Sequence, residues 1–320
     1  ARICKEVILM ENYVGIDIAK HTFDLCGLPQ QDIRQFENNT KGIRLAAKMI
    51  AQLQPKLVVM EATGGYETPL AAELYAAGLP VAVVNPRRIR DFARAQGRLA
   101  KTDKIDAAVI AMFAARMQPP TQEPSDHNSR LMKALVARRH QLVRLQTAEN
   151  NRREHALDKV IAKSLNRILK TIEHEMEKVE HLIREQLAGM PELEAKAQIL
   201  DSAPGIGQTT ATMLVTEVPE LGRLNRRQIA MLIGVAPINR DSGTFKGKRM
   251  TGAGRRDVRS RLYMPTLVAL RHNTVIHRFY QHLLSKGKTK MTAIIACMRK
   301  LITILNTMVA KNQAWNPNLN

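Results

Sequence analysis

The stretch Tyr13-Val-Gly-Ile-Asp17-Ile-Ala-Lys20 decides the fold. Apolar residues recur at alternate positions, Val14 aside, which is the pattern of a β-strand. Asp17 lies mid-strand and faces away from Ile16 and Ile18. A carboxylate on a central apolar strand is costly to desolvate without a partner, so Asp17 needs a reason to be there. Working outward, Thr22–Cys26 reads as a second strand and the polar residues around Gln30–Asp32 as a turn. Ile33–Glu37 is a third strand that completes a meander. Residues 41–53 carry apolar side chains at helical spacing. Leu57-Val-Val-Met60 is a short buried strand with Glu61 at its C-terminal end. Residues 68–77 are helical with Pro69 near the first turn. Val81–Val84 is a further strand, stopped by Asn85-Pro86. Strand alternating with helix over residues 12–120 predicts an α/β sheet domain.

From Ser125, a suitable helix N-cap, the pattern changes. No Gly or Pro occurs before Gly189, and Leu165, Ile168, Ile172, Met176, Val179, Ile183 and Leu187 recur at helical spacing among charges. This predicts a helical hairpin or coiled coil over 125–190, open to interruption at Glu149-Asn-Asn-Arg-Arg-Glu154. Pattern alone leaves two readings, a linker packed on its own chain or an oligomerisation element. Residues 193–312 form a third, mainly helical region.

The chain has 320 residues, with 49 Lys+Arg against 29 Asp+Glu and a formal charge of +20. With 45% hydrophobic residues it can build a core, which excludes global disorder. So large a positive excess points to a polyanion, nucleic acid first and an anionic membrane surface second. Aromatic residues make up only 4%, against a platform that stacks single-stranded bases. Cys4, Cys26 and Cys297 form no CxxC pair, hence neither a disulfide framework nor a zinc knuckle. Reduced thiols suit the cytoplasm. The most apolar stretch, Thr292–Ala310, is broken by Arg299-Lys300, so no membrane is expected as partner. Met10 reads as a native start, and residues 1–9 receive no function. His272, His277 and His282 are five apart and do not make a metal pair on one helix face.

Four carboxylates carry the chemistry. Besides Asp17 and Glu61 there are Asp103 and Asp106, in Lys101-Thr-Asp103-Lys-Ile-Asp106-Ala. At a helix start, i and i+3 share one face. Each has a plain alternative: Asp103 as an N-cap, Glu61 as a solvated strand end. Taken together they are a set that only cations can neutralise. Two Mg²⁺ ions per site, with Mn²⁺ as substitute, would suit all-oxygen ligands and clamp the attacking and leaving oxygens of a phosphodiester.

The order of strand with Asp, meander, strand with Glu and a late Asp pair on a helix resembles the RNase H-like fold of RuvC Holliday-junction resolvases. The strings Gly15-Ile-Asp17-Ile-Ala-Lys20, Met60-Glu61-Ala-Thr-Gly-Gly-Tyr-Glu67, Val84-Asn-Pro86, Lys101-Thr-Asp103-Lys-Ile-Asp106, Pro204-Gly-Ile-Gly207 and Leu262-Tyr-Met-Pro265 resemble the IS110/IS1111-family transposases, the Piv-like DEDD recombinases. The resemblance runs from about Tyr13 to about Ala310. It implies a RuvC-like catalytic domain with Asp17, Glu61, Asp103 and Asp106 as metal ligands. It further implies an oligomer, dimer or tetramer, acting on donor and target double-stranded DNA under guidance by a structured RNA.

In the second half, Pro204-Gly-Ile-Gly207 between two helices reads as the hairpin of a helix-hairpin-helix. Gly205 and Gly207 would let backbone N–H groups approach a phosphate at a helix N-terminus. An ordinary helix–helix turn is the other reading. The segment Arg240–Arg261 holds eight basic residues, Arg240, Lys246, Lys248, Arg249, Arg255, Arg256, Arg259 and Arg261, against Asp241 and Asp257. Its glycines suggest a mobile loop and its charges a phosphate-binding surface. By itself Ser242 is a turn serine; the family resemblance makes the Ser of this Ser-Gly motif the nucleophile, through a phosphoserine ester. A second basic stripe, Arg87, Arg88, Arg90, Arg94, Arg98 and Lys101, leads into the aspartate pair, either as a nucleic-acid contact or as a solvated helix face. The alternative activity is a RuvC-like, metal-dependent endonuclease or junction resolvase with water as nucleophile and Ser242 incidental.

Overall fold

A computed structural model describes residues 11–97, 103–121, 126–239, 241–247 and 249–317. It divides into two compact units, Ala1–Ser125 and Asp126–Asn320.

The first unit runs β1 (Tyr13–Ile18), β2 (Thr22–Leu28), β3 (Asp32–Glu37), α1 (Thr40–Leu53), β4 (Leu57–Glu61), α2 (Thr68–Ala76), β5 (Val81–Val84), α3 (Pro86–Ala95) and α4 (Asp103–Met117). Its sheet has the order β3-β2-β1-β4-β5. The meander β1-β2-β3 is antiparallel, because tight turns join its strands. Strands β4 and β5 run parallel to β1, reached by the helical crossovers α1 and α2. Alternation then sorts the side chains. Val14, Ile16 and Ile18 pack with α1 and α2 on one face. Tyr13, Leu57, Val59 and Val84 pack with Ile110 and Phe113 of α4 on the other.

The second unit opens with α5 (His127–Glu154) and α6 (Lys159–Ala188), followed by α7 (Pro191–Asp201), α8 (Gln208–Glu217) and α9 (Arg226–Ile233). Four two-residue strands follow: β6 (Pro237–Ile238), β7 (Asp241–Ser242), β8 (Phe245–Lys246) and β9 (Met250–Thr251). The unit closes with α10 (Arg256–His272), α11 (Thr274–Ser285) and α12 (Lys290–Lys311). The cap of α5 is Asp126, whose carboxylate accepts from Ser129 N at 2.8 Å; Ser125 lies outside the described residues. The expected break falls just after Glu154, and Asp158 caps α6.

The helical segment 125–190 and the region 193–312, read separately in the sequence, form one unit. Met132, Val136, Ile172, Ile183 and Leu187 of the α5–α6 hairpin enter the same core as Leu200, Leu214, Ile229, Leu262 and Leu301. Helix α12 is long and apolar enough to span a bilayer, but more than half of that stretch is buried in this core. Cys297 sits there fully buried, and burial pushes its thiol up to about 11.

Candidate active site

The site begins with a row of polar residues across the sheet. Asp17 on β1 stands directly opposite Asp24 on β2, and Asp24 stands opposite Gln35 on β3. On the other side Gly15 pairs with Val59 and Ile16 with Met60, so the next step of that register sets Asp17 beside Glu61. Gly15 fixes which face this row occupies. A Cβ on Gly15 would lie 2.1 Å from Ala111 N and 2.5 Å from Ala107 O. Helix α4 therefore lies directly on β1, and Asp17, two residues on, shares that face. Gln118, just past α4, donates to Tyr13 Oη at 2.9 Å, so the helix runs antiparallel to β1. Its first turn, with Asp103 and Asp106, then falls at the Asp17 end.

Asp17, Glu61 and Asp106 are all half-buried and none lacks a partner. The rim is tied down by short-range bonds. Glu67 accepts from Thr63 N at 3.0 Å and Gly65 N at 2.9 Å, closing the turn after Glu61. Asn38 donates to Ala19 O and Tyr66 O, joining the end of β1 to that turn.

An all-carboxylate donor set on one half-buried face suits a hard divalent cation, and Asp17, Glu61 and Asp106 with Asp103 are the residues that would hold it. Among the described residues no three such side chains gather closely enough to ligate one ion. The side chain of Asp103 is outside that set.

Helix α3 presents Arg87, Arg88, Arg90 and Arg94, all exposed. Asp91 draws on two of them, with Arg87 at 3.7 Å and Arg94 at 3.8 Å. Arg88 lies 5.5 Å over the ring of Phe113 on α4. Arg98 and Lys101 lie outside the described residues.

In the second unit, the two glycines of Pro204-Gly-Ile-Gly207 part company. Gly205 has φ +98, and a Cβ there would sit 2.6 Å from Ala269 of α10. Its bareness is consumed by helix packing rather than by a ligand. Gly207 precedes α8 without a side-chain cap and with open space around it. A cleft of about 800 Å³ adjoins it, lined by Arg139, His140, Arg184, Gln208, Thr209 and Arg261 among apolar walls. Arg139 and Arg261 are already paired there, with Glu180 at 2.7 Å and Glu217 at 2.6 Å. Burial and then the Arg261 and Arg144 charges push the His140 imidazole below its ordinary range.

Ser242 ends β7, which pairs with β8 as a minimal hairpin turning at Gly243, φ +57. Ser242, Gly243 and Thr244 are exposed. The base of this loop is pinned. Gly234 and Gly254 approach so closely that a Cβ on Gly254 would lie 2.5 Å from Gly234 N. Arg255 N donates to Leu232 O at 2.7 Å, and Arg259 donates to Ala253 O at 2.8 Å. Arg255 also forms a forked pair with Glu220, at 2.7 and 2.5 Å. Burial alone would push the Glu220 carboxyl up, but hydrogen bonds from Arg255 and the backbone outweigh it and hold it below its ordinary value. Arg255 thus fastens the loop instead of presenting a free cation. Arg249 and Arg256 are exposed. Arg240, Lys248 and the side chain of Lys246 lie outside the described residues.

Sequence reasoning passed over Asp24 and Glu67. Asp24 lies in Thr22-Phe-Asp24-Leu-Cys26, where folding the meander back on β1 sets it against Asp17. Glu67 closes the string Met60–Glu67, and its place at the N-cap of α2, two residues before Pro69, is the available signal.

Residues 14–162 match a family described as a transposase, the DEDD transposase of the IS110 type. Residues 197–281 match the transposase IS116/IS110/IS902 family. The pilin gene-inverting proteins of Moraxella lacunata and Moraxella bovis are each 30% identical over 318 residues, covering 96% of this chain and 98% of theirs. The transposase for insertion sequence element IS1111A of Coxiella burnetii is 25% identical over 268 residues, 72% of this chain and 70% of its own. Matched by both family models and 30% identical to the pilin gene-inverting proteins over nearly its whole length, the chain belongs to the IS110 family of transposases and recombinases.

Proposed function

We propose that this recombinase cuts and rejoins DNA strands through a phosphoserine at Ser242, assisted by divalent cations at Asp17, Glu61, Asp103 and Asp106. The observation that carries the reading is the carboxylate row on the α4 face of β1, since like charges gathered on one face call for cations. Mg²⁺ bound there would supply charge stabilisation for the attacking and leaving oxygens. The sheet order and the antiparallel α4 support an RNase H-like, RuvC-like domain.

Ser242 Oγ forms the new bond to phosphorus as the bond to the leaving deoxyribose oxygen breaks. The serine proton departs and the leaving oxygen ends protonated. Attack by the hydroxyl of a second strand reverses the exchange, restores a phosphodiester and frees the serine. No nucleotide triphosphate is needed, because the ester conserves the bond. Exposure of Ser242 at a hairpin tip suits a group that must reach a duplex. Exposed Arg249 and Arg256 give the backbone nearby cations. The open N-terminus of α8 after Gly207 suits a helix-hairpin-helix contact with phosphate. The α5–α6 hairpin offers a coiled-coil-like element for a dimer or tetramer holding donor and target DNA, and a guide RNA fits the overall charge. A cytoplasmic location follows from DNA as substrate.

The test is trapping. Cleavage in Mg²⁺ should leave a covalent protein–DNA adduct in the wild type and none in Ser242→Ala. Unchanged cleavage by Ser242→Ala would replace this reading with the hydrolytic one, in which water attacks. That second reading draws on one fact: Ser242 and the carboxylates belong to different units.

A further inference from the structure

The residue directly across from Asp17 is another carboxylate. Asp24 is 6% exposed, yet it is an aspartate. Among the described residues its carboxylate accepts one hydrogen bond, from Gln35 Nε2 at 3.1 Å. Its other neighbour on β2 toward α4, Cys26, packs with Ala107 and Ala111, which offer no charge. A neutral amide satisfies a lone pair but does not neutralise an anion. Like charges directly opposite each other on paired strands destabilise a sheet, and a buried unpaired carboxylate is costly. An asparagine or threonine would bond Gln35 equally well without that cost, so the charge itself calls for a role.

We propose that Asp24 is a positioning residue of the catalytic centre. Its negative charge, one strand behind Asp17, strengthens the hold of the centre on a divalent cation. The proposal rests on the cation-binding reading of Asp17, Glu61, Asp103 and Asp106 given above. Residues behind metal ligands typically change metal affinity by about 10–100-fold when altered.

The experiment titrates Mn²⁺ into the full-length protein, following free Mn²⁺ by electron paramagnetic resonance. It compares wild type with Asp24→Asn, Gln35→Lys and Asp17→Asn. Asp24→Asn keeps the shape and an acceptor for Gln35. Gln35→Lys, at an exposed position, keeps Asp24 but neutralises it. Both should weaken Mn²⁺ binding about tenfold or more. Both should also raise the Mg²⁺ concentration needed for half-maximal DNA cleavage by a similar factor, with the rate recovered at saturating Mg²⁺. Wild-type Mn²⁺ affinity in a folded Asp24→Asn, or in Gln35→Lys should the first not fold, would reduce Asp24 to a structural residue. If Asp17→Asn weakens binding while those two do not, only the role of Asp24 falls. If Asp17→Asn also leaves binding untouched, the cation site falls with it.

Discussion

Asp17 and Ser242 are held in opposite ways. Asp17 sits on the middle strand of a five-stranded sheet, half-buried, with its neighbours on both sides set by strand register. Ser242 ends a strand two residues long, at an exposed turn. Only the base of its loop is fastened, by the Gly234–Gly254 contact and the Arg255–Glu220 pair. On the mechanism proposed above, the difference follows from what each group must do. Carboxylates repel one another, so bringing them together needs a rigid frame with many shared hydrogen bonds. A nucleophile that must meet a large, charged substrate needs reach and tolerates a sparse frame.

The contrast can be broken at several points, beginning with the largest effect. Asp17→Asn should lower DNA cleavage by about 10³-fold with an unchanged circular dichroism spectrum, because the electrostatics of the site are lost and not its packing. Retained cleavage would mean that the sheet row is only architecture. Gly15→Ala should cost about 1–3 kcal/mol in thermal or denaturant unfolding, since its Cβ has no room against α4. A wild-type melting temperature would show that α4 does not lie on β1 as described.

At the other region, Arg255→Ala should cost about 1 kcal/mol of stability, after allowing for the half-exposed setting of its pair with Glu220. Arg256→Ala should leave stability within about 0.5 kcal/mol but flatten the salt dependence of DNA binding by about one unit of slope. Equal behaviour of the two neighbours would erase the distinction between a fastener and a free cation. Smallest of all, Ser242→Ala should shift stability by less than about 0.5 kcal/mol, since the serine is exposed, although its covalent adduct disappears.

Local patterning made the first unit legible. The alternation around Asp17, the buried runs before Glu61 and after Pro80, and the Asn85-Pro86 stop all correspond to elements found in the structure. What escaped depends on partners distant in sequence. Gly205 reads in the sequence as a phosphate-binding glycine, whereas the structure sets Ala269 against it. Arg255 reads as one more loop cation, whereas Glu220, 35 residues away in sequence, claims it. Asp24 is the exception: it lies seven residues from Asp17 and needs only the register of the β1–β2 hairpin. The union of the two helical regions escapes for a similar reason: Ile183 and Leu187 show periodicity, but not that they share a core with Leu200 and Leu214.

The close approach of Gly234 and Gly254 makes residues 235–253 a handle whose two ends are welded together by the fold. Val235 and Ala236 still lie in the core and β6 pairs with β9, so only the chain beyond that pairing is uncoupled from the core. Doubling its length would cost only about 0.6 kcal/mol in closure entropy. The tip bearing Ser242 can therefore be lengthened, shortened or recharged without disturbing the helices that carry it. On the proposed reading of Ser242, reach toward DNA becomes an adjustable dimension.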